Sequence, residues 1–230
     1  MIQTERLTKS YGRARGITEL TLHVPEGSCF GFIGPNGAGK STTIRTLLGL
    51  LSPTSGSARV LGMDCVRDRQ AILAQVGYMP SEAMFYPDMR AGEVIRYSAR
   101  LRKRDCAAEA AALCQALELD TRKRIRELSL GNRKKVSIVC AMQHRPRLYI
   151  LDEPTSGLDP LVQRAFWTLL EERRQEGATV FLSSHVLYEV QRYCDRAAII
   201  REGRLVIEGT TAELDIENKF FDYYEGRTVQ

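Results

Sequence analysis

Hydrophobic residues in this chain follow two periods that alternate along it. Cys29-Phe30-Gly31-Phe32-Ile33 is a continuous apolar run, the pattern of a strand covered on both faces. Shortly after it, Ile44, Leu47, Leu48 and Leu51 recur at i, i+3, i+4 and i+7, the period of a helix with one buried face. The alternation returns further on, where Leu148-Tyr149-Ile150-Leu151 and Thr179-Val180-Phe181-Leu182 flank a helical stretch at 163–176. Strands alternating with helices predict an α/β fold with a largely parallel sheet. Residues 2–24, rich in Thr, Leu, Ile and Val, predict short strands joined by turns, one of them at Tyr11-Gly12. Together they make a small antiparallel β subdomain. Pro25-Glu26-Gly27 then turns the chain into the first apolar run. Further strands are predicted within 53–62 and at 76–79, and a hairpin at 198–207 turning at Glu202-Gly203. Residues 90–119 are dominated by Ala, Leu, Glu and Arg, which predicts a helical insert at about 87–146.

Between the first apolar run and the first helix lies Gly34-Pro35-Asn36-Gly37-Ala38-Gly39-Lys40-Ser41, followed by Thr42. It fits G-x-x-x-x-G-K-[ST] at every position, in the strand–loop–helix setting this motif needs. Glycines let the backbone curl with its N–H groups inward as a nest for phosphate oxygens, and the helix N-terminus adds partial positive charge. Lys40 is expected to reach the β- and γ-phosphates and the Ser41 hydroxyl to ligate Mg²⁺. The chain is therefore expected to bind a nucleoside triphosphate. A second site is suggested where Leu148-Tyr149-Ile150-Leu151 ends in Asp152-Glu153. Ligands of α/β sheets sit at the carboxyl ends of strands. Asp152 there can hold Mg²⁺ and Glu153 can polarise a water towards the γ-phosphate.

Composition narrows the setting. With 230 residues, 43% hydrophobic and 27% charged, the chain is of globular type, and no 18-residue apolar run predicts a membrane span. No basic-then-apolar segment opens the chain, so no secretory signal is expected. Six cysteines without a C-x-x-C pair, beside a nucleotide site, point to reduced thiols and a cytoplasmic location. The net charge of +5 is concentrated in Arg96, Arg100, Arg102, Lys103 and Arg104 and in Arg122, Lys123, Arg124 and Arg126. Such runs predict a solvated helical face. Nucleic-acid binding is not expected, because a denser stripe with interleaved aromatics is missing. Without repeats or linkers, a single domain over 1–230 is predicted, with a short C-terminal extension at about 211–230.

Further motifs follow in a fixed order: Leu128-Ser129-Leu130-Gly131-Asn132, then Pro154-Thr155-Ser156-Gly157-Leu158-Asp159, then Ser183-Ser184-His185. In this order, over about residues 2–210, the chain resembles the ATP-binding-cassette (ABC) ATPases, and among them the exporters of drugs, peptides or lipids. The resemblance implies a P-loop NTPase core and ATP with Mg²⁺ as ligands. It makes Leu128 to Asn132 the signature, in which Ser129 and Gly131 donate to phosphate. By the same likeness Asp159 lies in the D-loop and helps to bind the nucleotide, His185 touches the γ-phosphate as a catalytic residue with Lys40 and Glu153, and Tyr11 stacks on adenine. It further implies a second ATPase subunit, in a homodimer or heterodimer whose signatures close each other's sites, and a separate transmembrane permease. That places the chain at the cytoplasmic face of the membrane. Ser129 can also cap the helix that carries Val136, Val139 and Cys140. The sequence departs from the family pattern at Leu130 and Asn132, and at Ser81, where the family has a glutamine. Nearby Met84, Phe85, Tyr86 and Met89 suggest either packing or a groove for a permease helix. The alternative, a soluble ABC ATPase acting on DNA or ribosomes, would bring a long coiled-coil insert or two tandem cassettes. This sequence has a short insert and one cassette.

Overall fold

The computed structural model describes residues 1–12, 14–216 and 218–220; most of the expected C-terminal extension lies outside them. In chain order the elements are β1 (Ile2–Tyr11), β2 (Ala14–Val24), β3 (Cys29–Ile33), α1 (Lys40–Leu47), β4 (Ser55–Val60), β5 (Met63–Asp64) and α2 (Arg69–Gln75). These are followed by β6 (Val76–Met79), α3 (Ala91–Leu101), α4 (Ala107–Ala116), a 3₁₀ turn (Ile125–Glu127), α5 (Leu130–Met142), β7 (Leu148–Asp152) and α6 (Pro160–Gln175). The last are β8 (Thr179–Ser184), α7 (Leu187–Tyr193), β9 (Arg196–Arg201) and β10 (Arg204–Thr210). They form two compact units, Met1–Ile72 with Thr179–Gln230, and Leu73–Ala178.

The first unit carries an antiparallel sheet in the order β2-β1-β4-β5 and strands in the order β10-β9-β3-β8. In the latter, β3 runs parallel to β8 and β9, and β10 returns antiparallel on β9. Strands β3 and β8 are buried throughout; β3 is one apolar run, and β8 carries Val180 to Leu182 between the buried hydroxyls of Thr179 and Ser183. Phe181 packs between Phe30 and Phe32, with ring centres 5.9 and 5.5 Å away. The hairpin expected at Glu202-Gly203 is present, both residues taking the positive φ of a tight two-residue turn.

Two details differ from expectation. Residues 2–24 form two long strands, not several short ones, and the β1–β2 register shifts three times along their length. Each shift interrupts the alternation of faces, so one strand reads in sequence like several pieces. Near one end Thr4 bridges the pair, its hydroxyl donating to Leu20 O and accepting from Leu22 N. Helix α1 stops at Leu47, before Leu51. Gly49 N donates to Thr46 O and Leu50 N to Arg45 O, the paired bonds of a glycine-terminated helix end.

In the second unit β6 and β7 pair in parallel, with Val76 opposite Leu148. The helical stretch at 90–119 is two helices, because Lys103 adopts φ 53° and ends α3. Helix α3 begins where the Glu93 carboxylate accepts from Arg90 N at 2.7 Å. It meets α5 across a buried polar contact, Gln143 Nε2 donating to Ile95 O at 3.1 Å. Buried Arg173 on α6 pairs with Glu109 on α4 and with Glu176, and Arg145 pairs with Glu109 at 2.8 Å. Among the described residues no helix is long and apolar enough to cross a membrane.

Candidate functional site

The glycine loop is built by the first unit. It leaves β3 at Ile33 and enters α1 at Lys40. The helix N-cap is Gly39 at φ 113°, a conformation L side chains rarely adopt; an added Cβ would also lie 3.0 Å from Ile17 Cγ2. A glycine N-cap offers no side-chain acceptor to the first-turn amides, and an anion is their natural partner. Two neighbours brace the loop from behind. Gly203 N donates to Ala38 O at 2.9 Å, and Ile200 packs against Gly34 and Gly39. Neither Ile200 nor Gly203 carries a recognisable motif, and only the folded hairpin brings them there.

Lys40 is 5% exposed and its ammonium turns back on the loop, donating to Gly34 O at 2.5 Å and Pro35 O at 3.2 Å. Ser41 and Thr42 open the helix beside it, both half-buried. His185 stands near the loop's entry. Ile33 and Ser184 are register partners on β3 and β8, Gly34 N donates to Ser184 O at 3.4 Å, and the exposed His185 follows. The Ser184 hydroxyl accepts from Val186 N and donates to Glu189, which fixes the turn on which the imidazole is carried. Tyr11 lies at the end of β1, 43% exposed, with the Lys9 ammonium 5.5 Å from its ring centre. The first unit thus holds the loop, His185 and an exposed aromatic ring.

The second unit holds the acidic residues and the segment Leu128 to Asn132. Asp152 ends β7 and is 1% exposed. Glu153 follows with φ 50°, the left-handed region that non-glycine residues seldom enter. Its main-chain carbonyl accepts from Lys134 Nζ at 2.6 Å and from Ser156 N at 3.3 Å. Lys134, on α5, is 2% exposed; burial pushes its pKa down, and the nearby Glu153 and Asp152 pull it back up. In sequence it is the middle of Arg133-Lys134-Lys135 and looks like part of a solvated basic face, so nothing there marks it as buried.

Ser129 caps α5, its hydroxyl accepting from Asn132 N at 3.3 Å. Gly131 lies so close to the chain after β7 that an added Cβ would be 3.3 Å from Gly157 O, while the Leu130 side chain packs on Gly157. Asp159 caps α6, its carboxylate accepting from Leu161 N at 3.1 Å and Val162 N at 3.0 Å, with Pro160 in the first turn. The segments Leu128 to Asn132 and Pro154 to Asp159 are therefore in contact within this unit, at Leu130, Gly131 and Gly157.

The same unit shows an apolar groove of about 460 Å³ lined by Met84, Phe85, Tyr86, Met89, Tyr97 and Leu101, among others. Met84 and Tyr86 stand out into solvent, whereas Phe85 and Met89 are half-buried. Ser81 precedes the groove on the segment that leaves β6.

The chain is similar to known proteins in sequence and in fold. The sequence pattern described as "ABC transporter" matches residues 17–156. The bacitracin transport ATP-binding protein BcrA of Bacillus licheniformis is 37% identical over 215 residues, which is 90% of this chain and 69% of that protein. The Nod factor export ATP-binding protein I of Paraburkholderia xenovorans (strain LB400) is 34% identical over 218 residues, 93% of this chain and 72% of that one. A solved structure of the ATP binding subunit of an ABC transporter superposes with a TM-score of 0.87 at 30% identity, covering 96% of this chain and 94% of its own. The α/β architecture with its parallel strands, small antiparallel sheet and helices is that of a P-loop NTPase cassette.

Proposed function

The chain belongs to the ABC transporter family as an ATP-binding, ATP-hydrolysing subunit, and from that premise we propose how its residues share the work. The observation that carries the reading is the Gly34–Ser41 loop, whose lysine is buried against the loop carbonyls at the uncapped start of α1. Lys40 exchanges those carbonyls for the β- and γ-phosphates, and the amides of Gly37 to Thr42 hold the remaining oxygens. Gly34, Pro35, Asn36 and Ala38 shape the loop. Tyr11 stacks on the adenine. His185 donates to the γ-phosphate. Ser41 and Asp152 offer the hard oxygen donors that suit Mg²⁺, which would supply positive charge at the phosphates. Glu153 orients and deprotonates the attacking water. Transfer of the phosphoryl group then depends on positioning and charge, which these residues supply.

Ser129 and Gly131 serve a second cassette. A helix N-terminus is an anion site, and its serine can bond phosphate as readily as it caps. In this reading two subunits, identical or not, each close the other's nucleotide with a signature. Asp159, occupied as a cap here, holds the signature-bearing surface in shape. The whole chain is read as one cassette domain with the insert at about 87–146. It is proposed to sit at the cytoplasmic face of the membrane through a permease, received in the groove of Met84 and Tyr86. The direction proposed is export, supported by the names of the relatives, one a bacitracin transport and one a Nod factor export protein. Those relatives give no support to a ribosomal or DNA role.

Glu153→Gln tests the central assignment. ATP binding should persist while phosphate release falls by a factor of about 100 or more. Near-normal turnover in this variant would remove Glu153 from the mechanism.

A further inference from the structure

Lys134 has no role among those assigned above, yet it occupies a costly position. A lysine 2% exposed needs partners for its charge, because a methionine of similar volume would fill the space without desolvating one. Its partner is the main-chain carbonyl of Glu153, 2.6 Å away. That residue is held at φ 50°, a strained conformation for a non-glycine residue that persists only where the surroundings enforce it. Ser156 N takes another lone pair of the same carbonyl, so the peptide after Glu153 is fixed from two sides. Lys134 is also the fifth residue of α5, the helix that Ser129 caps and whose first turn carries Gly131. The helix touches the chain beyond β7 at Lys134 with Glu153, and through Leu130 and Gly131 at Gly157.

We propose that Lys134 is a positioning residue for Glu153, holding its backbone in the left-handed region and tying it to the signature helix. The side chain of Glu153 leaves from a Cα whose orientation is set by that peptide. A displacement of α5 would therefore turn the carboxylate. In this way the state of the signature is passed to the group that orients water, without Lys134 touching substrate. The inference rests on the reading of Glu153 given above.

The test uses the full chain, with ATP affinity and turnover both measured and turnover expressed per nucleotide-binding site. Lys134→Met should lower kcat at least tenfold, as expected for a misplaced catalytic group, with ATP Kd changed by less than about twofold. Lys134→Arg, which keeps a donor, should recover part of the loss. Added to Glu153→Gln, Lys134→Met should cost nothing further, because both act through one carboxylate. If Lys134→Met does not fold, Lys134→Gln takes its place under the same criteria. A kcat per binding site within twofold of the parent would overturn the inference. So would losses that multiply in the double variant, which mark an effect independent of Glu153. Full turnover in Glu153→Gln alone would overturn the Glu153 reading and this inference with it. A full-speed Lys134→Met beside an inactive Glu153→Gln would overturn the inference alone.

Discussion

His144 sits at the end of the insert, 4% exposed, with Nε2 3.3 Å from Val76 O on β6. Arg104 donates to its main-chain carbonyl, and Arg102 lies close enough to oppose a second positive charge. Burial first, and Arg102 next, push its pKa down to about 4. The consequence for stability has a definite sign. Above pH 6.5 the imidazole is neutral folded or unfolded, and it adds no pH dependence. As pH falls below 6.5 the unfolded chain takes up a proton that the folded chain refuses until about pH 4, so stability is lost across that window. Between pH 7.5 and 5 the loss from this residue alone should be about 2 kcal/mol. His144→Gln keeps an N–H for Val76 O and removes the titration. Denaturant midpoints at pH 7.5, 6 and 5 should therefore fall less steeply for this variant than for the parent. Equal slopes would assign the acid sensitivity to other groups.

At the scale of elements, α4 and α6 are fastened by charge. Arg173 is 6% exposed and pairs with Glu109 and Glu176, while Arg145 shares Glu109 from the loop after α5. Removing Glu109 leaves Arg173 buried with only part of its compensation, so Glu109→Ala should cost about 3 kcal/mol in chemical denaturation. The double variant Glu109→Ala, Arg173→Met should regain much of that, since a buried pair replaced by apolar groups can be nearly neutral. A double variant no better than the single would mean that packing, not charge, fastens the helices. None of these partners announces itself in sequence. Glu109 and Arg173 lie in helices whose composition is simply charged, and their pairing depends on which faces the fold turns together. By contrast β3, β7 and β8 were legible because strands buried on both faces are apolar along most of their length, with polar residues only at their ends. Strands β1 and β2 were legible in kind but not in length, since bulges break the alternation that marks them. The short α2 and α7 were missed because seven residues hold too few periods to be recognised.

For the molecule as a transporter subunit, the same division between local and assembled information applies. The glycine loop and the Asp152-Glu153 pair were legible because contiguous residues carry their chemistry. The supports, Ile200 and Gly203 behind the loop and Lys134 behind Glu153, come from distant segments and were not. The proposed permease surface falls between these cases, since its residues are contiguous but packing and docking call for the same types. The structure separates them by exposure. Met84 is 84% and Tyr86 72% exposed, so neither contributes much to folding, whereas Phe85 and Met89 are half-buried. A helix received in the groove would cover Met84 and Tyr86, together with the exposed faces of Tyr97 and Leu101. A carboxylate placed there would have to be desolvated on docking. Met84→Asp and Tyr86→Asp should therefore leave the melting temperature of the isolated subunit within about 2 °C, an exposed site changing stability by about 0.5 kcal/mol or less. Both should keep ATP affinity and yet lose copurification with the membrane partner and the rise in ATPase rate it brings. Phe85→Asp should instead lower the melting temperature, because its ring is partly inside. If the two exposed variants bind and respond to the partner like the parent, the groove is not the docking surface. The aromatic and methionine side chains would then belong to the packing of the insert alone.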